Sequence, residues 1–136
     1  MSASQAVVVG GAAALAVSAV LGFVLPKAPI VINALSYAEG MVTQDRTVTG
    51  KGEVFFMGWS AEVVNMATGD PVPWCIGQGS YNYRTGRRVV EFTLPDWVGN
   101  AACLPESLLP GRYQLRAIWR AGDVQVIGNS AEWVIE

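Results

Sequence analysis

The chain has 136 residues, of which nine are Lys or Arg, eleven are Asp or Glu and none is His, so the net charge is −2. The absence of histidine excludes imidazole bases, Ser-His and Cys-His nucleophile pairs and most zinc sites. The small negative charge gives no basic surface for phosphates. We therefore expect a protein that is not an enzyme, with no cofactor, no metal and no nucleic-acid partner.

All charged side chains follow Pro26, which divides the chain into an apolar segment at 1–27 and a domain at 28–136. As a helix, residues 5–25 would span roughly 31 Å, close to the hydrocarbon thickness of a bilayer. Three interpretations stay open. The segment is a retained membrane anchor ending at Lys27, a signal peptide cleaved near Ala38, or a helix buried among other subunits in a virion or similar assembly.

Small residues recur at every fourth position of this apolar segment and would line one face of the helix: Ala6, Gly10, Ala14, Ser18 and Gly22. Such a stripe lets helix backbones approach closely, although Gly, Ala and Ser are frequent enough here for chance to produce it. We expect membrane lipid or sister subunits as partners, in a homo-oligomer or a larger assembly. The chain is predicted to be a single-pass membrane protein with an extracytoplasmic C-terminal domain, or a virion component.

The domain that follows alternates apolar and polar residues, which is typical of half-buried strands. The alternation is clearest at 112–120, where Tyr113, Leu115 and Trp119 share one face, and Gly122 predicts a tight turn after it. In chain order, the strands are predicted at 29–38, 42–48, 53–65, 80–84, 88–94, 112–120, 123–127 and 131–135, with one helical turn near 95–100. Short strands at this spacing predict a β-sandwich or a small barrel.

The segment from Leu109 to Tyr113 (LPGRY) opens the clearest strand, and it resembles the tyrosine corner of immunoglobulin-like and fibronectin type III domains. In that motif a Tyr hydroxyl bonds to upstream backbone that would otherwise be buried unpaired. The resemblance implies an all-β fold, an immunoglobulin-like antiparallel β-sandwich of about seven strands, in which Trp59 and Trp119 meet in the core. The disulfide that usually joins strands B and F of that family is not reproduced.

Two cysteines, Cys75 and Cys103, are present and cannot form a four-ligand metal site by themselves. A disulfide between them is the simpler interpretation, and two buried thiols are the alternative. The bond would connect two irregular segments, one of them at 71–74, and it requires an oxidising compartment. This fits a domain outside the cytoplasm.

Four aromatic residues lie in or near predicted loops and are candidate ligand contacts: Trp74, Tyr81, Tyr83 and Trp97. Aromatic faces suit a sugar ring or a peptide, while the alternative is that these side chains cap the ends of the sandwich. Three arginines, Arg112, Arg116 and Arg120, form a row that is expected to face solvent. The sequence thus favours a noncatalytic structural or interaction protein, and a secreted or surface carbohydrate-binding module is the rival.

Overall fold

The structure is a computed structural model that describes residues 28–50, 52 and 54–136. Most of these residues lie in eight strands, with one short helix between the fifth and sixth strands and one turn of 3-10 helix after it. The elements are β1 Ile30–Ala38, β2 Met41–Val48, β3 Val54–Asn65, β4 Pro71–Arg84, β5 Gly86–Thr93, α1 Leu94–Val98, the 3-10 turn Pro105–Ser107, β6 Gly111–Ala121, β7 Val124–Asn129 and β8 Trp133–Ile135.

The strands form two antiparallel sheets, one in the order β1-β2-β5 and the other in the order β4-β3-β6-β7. The short β8 pairs with the beginning of β6, where Gly111 faces Ile135. Two packed antiparallel sheets confirm the prediction of a mostly β, sandwich-like domain. The predicted helix at 5–25 and its stripe of small residues lie outside the described residues.

Within the described residues, no helix has both the length and the apolar character needed to cross a membrane.

Alternation of side chains decides which face of each strand enters the core. In β6, Tyr113, Leu115, Ala117 and Trp119 are all buried while the residues between them are more exposed, as the sequence predicts. Both sheets contribute to one continuous core between them, and its fully buried members include Ile30, Val42, Met57, Val63, Leu94, Val98 and Leu115. Burial of apolar area in this single core is the main force that holds the sheets together.

Trp59 and Trp119 meet as direct partners in the register of β3 and β6. Glycines make room for the two indole rings: Gly79 and Gly99 lie against the ring of Trp59, and Gly128 lies against that of Trp119. Each indole ring of this cross-strand pair therefore packs against the backbone of at least one glycine.

The fourth strand is much longer than predicted. The sequence suggested a strand at 80–84 and irregular chain around Pro71 and Pro73, whereas β4 runs from Pro71 to Arg84. That prediction was wrong because β4 is an edge strand, and a proline is tolerated at an edge or at the first position of a strand. Cys75 is consequently in a strand and not in a loop.

The crossover from β5 to β6 begins with α1, which has a cap at each end. The Thr93 hydroxyl accepts a hydrogen bond from the Asp96 amide at 3.3 Å, as an N-cap residue does. Gly99 ends the helix in the left-handed conformation, with φ 77°. This short helix buries Leu94, Trp97 and Val98 at one end of the sandwich, and it lies where the sequence predicts a helical turn.

A hydrogen bond from Tyr113 fixes the start of β6. Its hydroxyl donates to the carbonyl oxygen of Leu109 at 2.6 Å, which is the contact that the LPGRY segment implies. The strand then turns at Gly122, where φ is 59°, and β7 returns beside it. Ser130 follows β7, and its hydroxyl accepts a hydrogen bond from the Leu115 amide at 2.9 Å. The Ser130 amide donates to the Leu115 carbonyl oxygen at 3.0 Å, so a side chain and the backbone together continue the pairing there.

Candidate ligand-binding site

The Cys75–Cys103 disulfide is present, and both cysteines are fully buried. It connects β4 to the segment between α1 and the 3-10 turn. Nearby, the Trp74 indole donates to the Ser107 hydroxyl at 2.8 Å, which attaches the 3-10 turn to β4 as well. The crossover is therefore fastened to the edge of the larger sheet.

A cavity lies between the two sheets, beside their edge strands β4 and β5. We call it the edge cleft. It has a volume of about 290 Å³ and is lined by residues from β2, β3, β4, β5, β6 and α1. Small-molecule sites begin at roughly 300 Å³, so this cleft fits a small ligand or one unit of a longer one.

Aromatic side chains form much of the cleft wall, and hydrogen bonds hold three of their rings in place. The Trp119 indole donates to the Tyr83 hydroxyl at 3.2 Å. The Trp97 indole donates to the side-chain oxygen of Gln44, also at 3.2 Å, and so connects α1 to the smaller sheet. Tyr81, with 60% of its surface exposed, is the aromatic residue most open to solvent here. Tyr81 and Tyr83 lie side by side with ring centroids 5.3 Å apart.

Three of the four predicted contact residues, Tyr81, Tyr83 and Trp97, line this cleft. The fourth, Trp74, lies elsewhere on β4 beside the 3-10 turn. Tyr81 and Tyr83 belong to β4 and Trp97 belongs to α1, in line with the predicted strand at 80–84 and helical turn near 95–100. Trp74 was expected in an irregular segment and instead belongs to β4. Trp97 is only 6% exposed and therefore has a packing role in addition to any contact with a ligand.

Two arginines also line the cleft, and they are direct partners across β2 and β5: Arg46 faces Arg88. Arg46 is only 7% exposed, and its guanidinium carbon lies 4.2 Å from the centre of the Tyr83 ring. That distance is typical of a cation–π interaction. Burial lowers the pKa of Arg46 from its ordinary value, yet arginine remains protonated at neutral pH.

The three arginines predicted to form a solvent-facing row are mostly engaged with carboxylates. Arg116 contacts Glu62 at 3.0 Å and Arg112 contacts Glu132 at 3.3 Å. Among the described residues, Asp96 is the one carboxylate that lines the edge cleft. In the part of the chain that the structure describes, no group of three His, Cys, Asp or Glu residues is placed to hold a metal ion.

The sequence interpretation missed Gln44, Arg46 and Arg88. The sequence of β2 does indicate Gln44 and Arg46, because both lie on the same alternating face of the strand as the core residues Val42 and Val48. Polar side chains on the core-facing phase of a strand indicate a buried polar site. Arg88 carries a comparable signal in β5, because it shares the alternation phase of Val90 and Phe92. Its pairing with Arg46, however, depends on how β5 pairs with β2.

Comparison with known proteins finds no match, whether among family models, curated proteins or solved structures.

Proposed function

We propose that this chain is a noncatalytic interaction protein that displays an immunoglobulin-like β-sandwich outside the cytoplasm and binds its ligand in the edge cleft. The observation that carries the proposal is the cleft itself, which lies between the two sheets and has an aromatic wall and buried hydrogen-bonding groups. Sites for small ligands commonly combine an apolar lining with a few polar groups that fix orientation.

The strand order supports the immunoglobulin-like class. In such domains strands C, F and G share a sheet, and variable-type domains add a further strand beside C. Here β3, β6 and β7 correspond to C, F and G, and β4 lies beside β3 in the added position. Tyr113 stands at the start of the F-equivalent strand with its hydroxyl bonded upstream. Binding, however, is argued from the cleft, because a fold by itself does not define a function.

The disulfide supports a location outside the cytoplasm, because such bonds form and persist in oxidising compartments. Mass spectrometry after alkylation, with and without reduction, checks this in protein from its native compartment. The expected result is that Cys75 and Cys103 are alkylated only after reduction. Two free thiols in the native protein would contradict the proposed location.

The apolar segment at 1–27 is proposed to attach the sandwich to a membrane or to an assembly of subunits. Flotation with phospholipid vesicles compares the full chain with a chain that begins at Ala28. We expect the full chain to float or to sediment as an oligomer, and the shorter chain to do neither. A full chain that is soluble and monomeric without lipid or partners would refute the attachment.

A carbohydrate-binding module is the second candidate, and the edge cleft favours it because Tyr81, Tyr83 and Trp97 all line one cavity. Glycan-array binding by the full chain tests this candidate. Trp97 is too deeply buried to be a clean probe, so the informative variant is Tyr81→Ala. We expect Tyr81→Ala to abolish binding, whereas Phe56→Ala, at a site 68% exposed and outside the cleft lining, is expected to bind normally.

A further inference from the structure

The paired arginines of the edge cleft place two positive charges beside each other. Arg46 and Arg88 are opposite one another in the register of β2 and β5, and both line the cavity. Like charges directly opposite on a sheet destabilise it. The arrangement therefore costs stability in the unliganded protein, and a bound negative group would offset that cost.

Within residues 28–50, 52 and 54–136, neither arginine forms an ion pair with a carboxylate. The neighbouring Arg87 behaves differently, since its guanidinium makes two hydrogen bonds to Asp45, at 3.0 and 2.7 Å. The arginine outside the cleft is neutralised while the two inside it are not. For Arg46, which is more than nine-tenths buried, the missing counter-charge is unusual, because buried charges are normally paired.

The ring of Tyr83 lies against one face of the Arg46 guanidinium. A cation–π contact of this kind offsets part of the desolvation cost and leaves the N–H groups at the rim of the guanidinium directed away from the ring. Those N–H groups are arranged in a planar fork that matches a carboxylate or a sulfate. The Arg46 guanidinium against the Tyr83 ring, with Arg88 as its cross-strand partner, is well suited to hold one oxyanion.

We propose that the edge cleft binds an acidic saccharide, with its carboxylate or sulfate held between Arg46 and Arg88 and its sugar ring against Tyr81. This inference rests on the proposed carbohydrate-binding function and names the class of sugar. Tyr81 offers an exposed ring at the cleft, while Gln44 and Asp96 supply polar groups for sugar hydroxyls. A volume of about 290 Å³ suits a single sugar unit whose chain continues into solvent.

Calorimetric titration of the full chain with trigalacturonate and with its methyl ester tests the role of the charge, because the two ligands share the same rings. We expect the free acid to bind at least about tenfold more tightly, as charge-assisted hydrogen bonds are worth about 1.5 to 3 kcal/mol. The advantage is expected to shrink as salt is added. A heparin disaccharide, titrated in parallel, distinguishes sulfate from carboxylate as the preferred oxyanion.

The variant Arg88→Gln is expected to remove the preference for the free acid, and Arg88 is exposed enough for the fold to tolerate the change. Arg87→Gln is the matched control, since Arg87 is the adjacent residue but lies outside the cleft lining, and it is expected to keep the preference. Circular dichroism verifies the fold of both variants.

Three results would overturn the inference. If acid and ester bind equally and Tyr81→Ala weakens both, the cleft binds sugars without using charge, and the carbohydrate-binding function survives. If neither sugar binds and no array glycan does, the carbohydrate-binding function fails together with this inference. If hexaglutamate binds more tightly than every saccharide and depends on Arg88, the ligand is an acidic peptide.

Discussion

Gly77 of β4 lies directly against Val98 of α1, so closely that a Cβ atom at position 77 would overlap the Val98 carbonyl oxygen. The close approach allows the helix to sit against the edge strand. We expect Gly77→Ala to destabilise the domain by about 2 to 3 kcal/mol, because a backbone atom cannot yield as a flexible side chain does. Urea unfolding followed by tryptophan fluorescence measures the loss.

Gly58→Ala is the matched control for this substitution. A Cβ atom at Gly58 of β3 would have only ordinary contacts, the nearest at 3.9 Å. Because glycine inside a strand costs about 0.5 to 1 kcal/mol relative to alanine, this variant is expected to be as stable as the parent or slightly more so. Equal losses in the two variants would show that the contact between Gly77 and Val98 does not matter.

The hydrogen bond of Tyr113 gives a second prediction. Tyr113→Phe removes the hydroxyl that donates to Leu109 and keeps the buried ring, so we expect a loss of about 1 kcal/mol in the free energy of unfolding. Tyr81→Phe removes a hydroxyl from an exposed side chain and is expected to change stability much less. A Tyr113→Phe variant as stable as the parent would mean that water replaces the hydroxyl without loss.

The disulfide between Cys75 and Cys103 gives a third prediction. It joins cysteines 28 positions apart, and the chain-entropy model assigns a bond of that span roughly 3 to 4 kcal/mol. The double variant Cys75→Ala/Cys103→Ala is expected to lose about that amount in urea unfolding. Dithiothreitol is expected to lower the Tm of the parent and to leave the Tm of the double variant unchanged. If dithiothreitol lowers the Tm of the parent and of the double variant equally, its effect does not come from this disulfide.

A fourth prediction concerns acid. Hydrogen bonds from Arg87, and to a lesser extent from Asn33, hold the pKa of Asp45 below its ordinary value of 3.8. The folded protein therefore binds this proton more weakly than the unfolded chain does, and the stabilisation is present above about pH 4 and is lost as pH falls through the folded pKa.

The Asp45→Asn variant is expected to show a smaller drop in Tm between pH 6 and pH 3 than the parent, measured by differential scanning calorimetry at low salt. The carboxylate is close to solvent, so added salt is expected to reduce the difference between the two proteins. A drop in the variant that equals the drop in the parent would contradict a role for Asp45 in the acid response.

Local patterns predicted those features of the fold that depend on neighbouring residues. Strict alternation identified β6, and the LPGRY segment predicted the hydrogen bond of Tyr113, because both are encoded within a few positions. The length of β4 was missed because Pro71 and Pro73 are acceptable at a sheet edge, and whether a strand lies at an edge is decided by the whole topology.

The candidate site was predictable only in part for the same reason. Tyr81 and Trp97 stood out as aromatic residues, but their position in one cleft depends on how the two sheets and α1 pack together. The pairing of Arg46 with Arg88 joins residues far apart in the chain. No local pattern reports such a pairing.

The register of the smaller sheet also fixes where the arginine pair lies relative to the rest of the chain. Ile30, at the start of β1, pairs with Val48 of β2, and Val48 pairs with Gly86 of β5. Arg46 is two positions from Val48, and Arg88 is two positions from Gly86. The polypeptide thus joins the sandwich at the end where its paired cations are. The cleft extends from this arginine pair to Phe92 and Trp97, toward the other end of β5. If residues 1–27 hold the protein on a surface, the two cations therefore lie in the part of the cleft that is nearer to that surface.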